Sequence, residues 1–298
     1  MKIAIASGKG GTGKTTLAVA LALSTTQNIC LLDCDVEEPN AGLFLNLENS
    51  EELPVTVPIP VVNESTCTAC GECSRFCEFN AIVCIGTSVM VFPELCHSCG
   101  GCTLVCPVGA IHEEDLKIGT MTDSFVGPES KASSKKPVRF IQGLLDIGYA
   151  MSPPIIRAVK NRGGFDNLEL EKLFIIDAPP GTSCPMGTAV TGADYVILVT
   201  EPTPFGLHDL DLAVKTVRKM GIPFGVVINR CDSGDDRVVT YCKKENIALL
   251  LQIPEDRRIA EGYSNGKSLV ESAPEYREKL NSLVELLIDQ HIARGKTE

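Results

Sequence analysis

The chain has 298 residues, 44% of them apolar, and a formal charge of −11, which is enough apolar content for one large domain or two smaller ones. The acidic balance argues against a nucleic-acid partner held by phosphate neutralisation, which needs clustered Lys and Arg. With no run of about eighteen apolar residues and no charged-then-apolar leader, the expectation is a cytoplasmic protein without a transmembrane segment.

Lys2 to Ala6 is a short β-prone run that ends in Ser7-Gly8-Lys9-Gly10-Gly11-Thr12-Gly13-Lys14-Thr15-Thr16, and an Ala/Leu-rich stretch follows to Ser24. This order predicts strand, glycine loop, helix. Such a loop points backbone N–H groups at phosphate oxygens and sets a helix N-terminus behind them. In the pattern G-x4-G-K-[ST], spanning Gly8 to Thr15, Lys14 reaches the β and γ phosphates and Thr15 ligates magnesium. The expected nucleotide contacts are Gly8, Gly10, Gly11, Thr12, Gly13, Lys14, Thr15 and Thr16.

A second strand, Ile29 to Leu32, ends at Asp33-Cys34-Asp35. From about Pro58 to Asp115 cysteines, small residues and short loops replace helix-length patterns, which predicts an inserted module. It holds two runs of identical spacing, Cys67-Cys70-Cys73-Cys77 and Cys96-Cys99-Cys102-Cys106. Each reads C-x2-C-x2-C-x3-C, the bacterial ferredoxin pattern, in which three thiolates hold one iron-sulfur cluster and the fourth crosses to the other. Two 4Fe-4S clusters are therefore expected. That pairing joins Cys67, Cys70 and Cys73 with Cys106, and Cys96, Cys99 and Cys102 with Cys77. Structural zinc sites usually lack the third close cysteine. Both runs continue x3-A-I, a duplication of one unit per cluster. The second ends Cys106-Pro107, but the first ends Cys77-Glu78, a departure that bears on potential rather than ligation. The other cysteines, at 30, 34, 84, 184, 231 and 242, are scattered and read as small buried residues, with Cys184 closest to a site.

The polar stretch from Gly127 to Pro137 reads as a mobile loop. Beyond it come a strand (Val138 to Leu145), a helix (Pro154 to Lys160) and apolar runs at Leu173–Ile176, Tyr195–Val199, Phe224–Ile228 and Ala248–Leu251. Such runs, alternating with helical segments, predict an α/β fold with a buried parallel sheet flanked by helices. The domain division is 1–57 for the first part of a phosphate-loop NTPase domain, 58–115 for a ferredoxin-like insert and 116–298 for the second part. Leu280, Leu283, Val284 and Leu287 define an amphipathic C-terminal helix that packs on the domain. Asp177-Ala178-Pro179-Pro180-Gly181 follows a strand, on the edge where open parallel sheets bind ligands.

The K-G-G-T-G-K-T form of the loop resembles that of the MinD/ParA/Mrp ATPases, relatives of the nitrogenase iron protein. The resemblance covers nearly the whole chain. It implies ATP and ADP as ligands and an ATP-dependent homodimer in which Lys9 crosses to the partner subunit's nucleotide; from the residues alone Lys9 is equally a surface charge. It further implies that Asp35 orients or activates the attacking water and that Asp177 holds magnesium through water. Asp33 is a weaker metal candidate, as Asp at a strand end is often only a turn cap. Asn229-Arg230-Cys231-Asp232 resembles the adenine-contacting segment, although N-x-x-D also occurs in guanine-selective NTPases. Pro254-Glu255 resembles the second base-side loop, and Pro-Glu is also an ordinary helix start. Cys184 lies where the iron protein carries a ligand to its subunit-bridging cluster, but no cysteine lies between Cys106 and Cys184 to supply the second ligand such a cluster needs.

Together these features predict an ATPase that couples nucleotide-dependent dimer changes to electron transfer through two clusters, with a redox or regulatory protein as partner. The alternatives are an iron-sulfur cluster carrier of the Mrp type, whose C-terminal C-x-x-C is absent here, and a spatial organiser of the MinD/ParA kind.

Overall fold

The computed structural model describes residues 1–127, 138–165 and 173–295, so nearly all of the expected mobile loop lies outside the described residues. In chain order the elements are β1 (Lys2–Ala6), α1 (Lys14–Ser24), β2 (Ile29–Asp33), β3 (Leu47–Val62), α2 (Glu72–Phe76), β4 (Ile82–Ile85) and β5 (Ser88–Val91). Next come α3 (Gly101–Val105), β6 (Ile111–Val126), β7 (Val138–Leu145), α4 (Ser152–Gly163), β8 (Leu173–Asp177), α5 (Cys184–Val190) and β9 (Tyr195–Thr200). The chain continues through α6 (Pro204–Lys219), β10 (Phe224–Asn229), α7 (Arg237–Lys244), β11 (Ala248–Ile253), α8 (Arg257–Ser264), α9 (Leu269–Ser272) and α10 (Tyr276–Gly295).

Nine strands form one sheet in the order β11-β10-β9-β1-β8-β2-β7-β6-β3. The strands from β11 to β7 pair in parallel. Strands β2, β8 and β9 are buried along their whole length, as apolar runs covered by helices on both faces must be. On one face α1, α9 and α10 share a core with Ile3, Ile5, Leu31 and Ile197; on the other α4, α5, α6 and α7 pack on Ala4, Leu32, Ile176 and Val196. Helix α1 is apolar nearly all round because it is sandwiched between the sheet and α10. The C-terminal stripe Leu280, Leu283, Val284 and Leu287 is buried in that core.

The sheet does not stop at its parallel part. Strands β6 and β3 extend it in antiparallel fashion, with β6 paired to β7 and β3 forming the edge. The β3–β6 ladder runs from Leu47 opposite Val126 to Val62 opposite Ile111, passing through Pro58 opposite Asp115. The cysteine module is thus carried on two strands rooted in the main sheet. Pro54, Pro58 and Pro60 all lie in β3. An edge strand accepts them because an N–H on its open side has no ladder partner to lose. Among the described residues, no helix is long and apolar enough to cross a membrane.

Candidate nucleotide and metal-cluster sites

Strand β1 lies between β8 and β9, where successive connections diverge to opposite sides, so the loop after β1 opens at the sheet's switch point. Gly13 caps α1 at φ 94°, a conformation that favours glycine. A Cβ at Gly8 would lie 2.1 Å from the backbone oxygen of Asp209, so only glycine fits there without displacing α6. The loop borders a cavity of about 520 Å³ lined by Gly10, Gly11, Gly13, Lys14, Thr15 and Thr16 on one side. Asp35, Asn229, Arg230, Pro254 and Glu255 also line it. The Asn229 amide donates to the Thr12 carbonyl at 3.0 Å and accepts from the Arg230 N–H at 3.1 Å, so it braces the glycine loop. The Asp232 carboxylate accepts from the Glu255 N–H at 2.6 Å and ties the loops after β10 and β11 together.

The three aspartates differ in their partners. Asp33 and Asp177 face each other in register at the ends of β2 and β8. The Asp33 carboxylate accepts from the N–H groups of Asp35 at 3.1 Å and Ala41 at 3.0 Å, so it caps the turn after β2. Its burial, with Asp177 beside it, holds its pKa well above the usual carboxylate range. Asp177 is fully buried, and neither of its oxygens has a hydrogen-bond partner in the chain. Burial raises it to about 7 against the opposing pull of the Thr15 hydroxyl and the Lys14 ammonium. Asp35 is raised to about 6 by burial, again opposed by Lys14. An orphaned carboxylate beside a Thr hydroxyl, under a phosphate loop, suits a hydrated divalent cation, which supplies the missing partners.

Lys9 does not line the cavity. Its ammonium lies 3.3 Å from Glu201, whose other oxygen accepts from Arg230 at 3.0 Å. Glu201, largely buried just past β9, escaped the sequence reading; its place at a strand's C-terminal end was the available signal. Glu38, Asn40, Asp256 and Tyr263 also line the cavity and carry no motif. Cys184 is exposed at the start of α5, whereas Cys30, Cys34 and Cys242 are buried.

The eight cysteines of the module divide between two cavities. Cys67, Cys70, Cys73 and Cys106 line one, and Cys77, Cys96, Cys99 and Cys102 line the other. The duplication extends to the backbone. Ala69 and Ser98 share φ 53°, Gly71 and Gly100 have φ 76° and 70°, and Asn80 and Gly109 have φ 54° and 63°. These turns aim N–H groups at sulfur: Ala69 donates to Cys67 Sγ and Ser98 to Cys96 Sγ, each at 3.4 Å, and Ala110 to Cys106 Sγ at 3.2 Å. Burial pushes the Cys73, Cys96 and Cys102 thiols up. Among the described residues no three His, Cys, Asp or Glu side chains converge as on a single metal ion. Four thiols around a cavity, with N–H donors on their sulfurs, form a donor set that fits a polynuclear cluster.

A phosphate loop at the switch point of a helix-flanked parallel sheet defines a nucleotide-binding protein of the phosphate-loop class. The sequence model of the CobQ/CobB/MinD/ParA nucleotide binding domain matches residues 3–270, and the chain belongs to that family. An uncharacterized protein of Methanocaldococcus jannaschii is 33% identical over 233 residues, 77% of this chain and 78% of its own. The iron-sulfur cluster carrier protein of Pyrococcus horikoshii is 25% identical over 287 residues, 90% of this chain and 79% of its own. Among solved structures, the Pyrococcus furiosus cell division ATPase MinD matches with a TM-score of 0.57 at 20% identity, covering 96% of this chain and 98% of that one. That likeness gives the fold.

Proposed function

We propose that the chain is an ATP-hydrolysing iron-sulfur protein that couples nucleotide-dependent changes of a homodimer to electron transfer through two 4Fe-4S clusters. The division of eight cysteines into two sets of four, in a module held between two strands rooted in the nucleotide-binding sheet, carries this reading. The units are 1–57 and 116–298 for the ATPase domain and 58–115 for the ferredoxin-like insert.

In this reading the glycine loop and Lys14 hold the phosphates, Thr15 and Asp177 hold magnesium, and Asn229, Arg230, Pro254 and Glu255 border the base. Asp35, on the cavity wall, orients the attacking water. Lys9 leaves Glu201 to stabilise charge on the phosphoryl group bound by the partner subunit. Cys67, Cys70, Cys73 and Cys106 would hold one cluster, and Cys77, Cys96, Cys99 and Cys102 the other. Such clusters supply one-electron transfer at low potential. The protein's part is to set four thiolates around each cavity and point N–H donors at them.

The test is anaerobic reconstitution followed by iron and sulfide analysis, EPR and phosphate-release assays. About eight irons per chain are expected for two four-iron clusters, with ATP hydrolysis that Lys14→Ala abolishes. A protein with neither iron nor ATPase activity would overturn the reading. A second reading, cluster delivery, is favoured by the 25% identity to an iron-sulfur cluster carrier protein. It predicts transfer of a cluster to an apo-acceptor, whereas the electron-transfer reading predicts that both clusters stay on the chain.

A further inference from the structure

One hydroxyl group distinguishes one cysteine site from its duplicate. Aligning the two runs puts Ser98 in the place of Ala69. The backbone is the same at the two positions, with φ 53° in both, and so is the N–H bond to the preceding cysteine sulfur, 3.4 Å in both. Only the side chains differ. Ser98 lines the second cavity, and its hydroxyl is sealed from solvent without a hydrogen-bond partner.

An unmatched buried hydroxyl is costly, so this one needs an acceptor. The acceptors at hand are the sulfurs of a bound cluster. Hydrogen bonds to cluster sulfur favour the more negative, reduced state and so raise the potential. Charged side chains around the cavities do not supply the same difference. Glu72 lines the first, while Glu78, Glu113 and Arg75 line the second, and each set carries one net negative charge.

We propose that Ser98 donates an O–H hydrogen bond to the cluster held by Cys77, Cys96, Cys99 and Cys102 and sets its reduction potential above that of its duplicate. An electron supplied by an external one-electron donor then rests preferentially at the second site, with no bond broken and no proton taken up. This inference rests on the two-cluster reading above.

The test is an anaerobic EPR redox titration of the reconstituted full-length protein. Ser98→Ala copies the residue that the first repeat carries at the same φ, so the fold tolerates it. It should lower the higher of two potentials, by about tenfold in the reduction equilibrium or about 59 mV for one electron, and leave the lower one in place. The reciprocal Ala69→Ser should raise the lower potential instead, which a purely structural role of Ser98 would not require. Two bound clusters with both potentials unmoved, or both shifted together, would overturn the role of the hydroxyl alone. A chain that takes up no iron would overturn the two-cluster reading and this inference with it.

Discussion

At the strand ends Asp177 and Asp35 titrate at about 7 and about 6 because burial disfavours their charged forms. An unfolded aspartate titrates near ~4, so the folded chain binds these protons more tightly. Their contribution to stability is therefore fully present below the unfolded pKa and is lost progressively as pH rises from ~4 through the folded values of about 6 and about 7. The nucleotide-free protein should show a Tm that falls across that window, and Asp177→Asn, which cannot titrate, should flatten the profile; an unchanged slope in the variant would refute the account. Magnesium needs the carboxylate form, so the affinity for magnesium nucleotide should fall about tenfold per unit below pH ~7, measurable by calorimetry. Steric limits act at the same scale. Gly8→Ala would set a Cβ 2.1 Å from the Asp209 carbonyl, and backbone cannot yield as a side chain can. The expected cost is about 1–3 kcal/mol in denaturant unfolding, together with loss of nucleotide binding; a variant with wild-type ADP affinity would show that α6 gives way.

Among the elements, the cysteine module has the least of its own to hold it together. Its core is Cys73, Ile82 and Ile111, with part-buried Val62, Val89 and Val91 around it. So small a core cannot offset the entropy of ordering the module without bound clusters. Hydrogen exchange on protein stripped of iron should show rapid exchange through α2, β4, β5 and α3 while β1, β8 and β9 stay protected; equal protection in both forms would count against this. The root of the arm is firmer, because Asp123 on β6 accepts from Arg139 of β7 at 2.9 Å and from Arg162 of α4 at 2.6 Å. Burial alone would raise the Asp123 carboxyl, but these two arginines hold it below the usual range. How far such elements can be read from sequence depends on their surroundings. The inner strands are apolar throughout because helices cover both faces, and the phosphate loop is written in consecutive residues. Strand β3 has the β-branched alternation Val55-Thr56-Val57, but Pro54, Pro58 and Pro60 and an acidic start mask it, since its edge position relaxes the demand for N–H donors. Glu201 escaped for another reason: its partners Lys9 and Arg230 are distant in sequence.

Across the whole molecule the two kinds of site share a mechanical connection. The turn after β2 carries Asp35 to the nucleotide cavity, and the Leu145 N–H donates to the Val36 carbonyl at 2.8 Å, joining that turn to the end of β7. Strand β7 pairs with β6, and β6 leads with β3, through a register shift between Val55 and Thr56, to the cysteine module. A shift of the turn when nucleotide binds therefore has a hydrogen-bonded route to the two cysteine sites proposed to hold clusters. Coupling between sites is typically about 1–3 kcal/mol, which for a one-electron couple corresponds to about 45–130 mV. EPR titrations without nucleotide, with MgADP and with a non-hydrolysable MgATP analogue should give cluster potentials that differ by amounts in this range. Linkage is reciprocal, so reducing the clusters should change nucleotide affinity by the same factor, about 5–150-fold. To separate the ladder's role from a field effect across the dimer, a flexible Gly-Ser pair can be inserted after Pro58 and another before Asp115. If the strands carry the coupling, this variant keeps both clusters and its ATPase activity, but its potentials no longer respond to nucleotide. Potentials that still respond in the variant would show that the signal crosses by another route, and potentials insensitive to nucleotide in the wild type would remove the coupling itself.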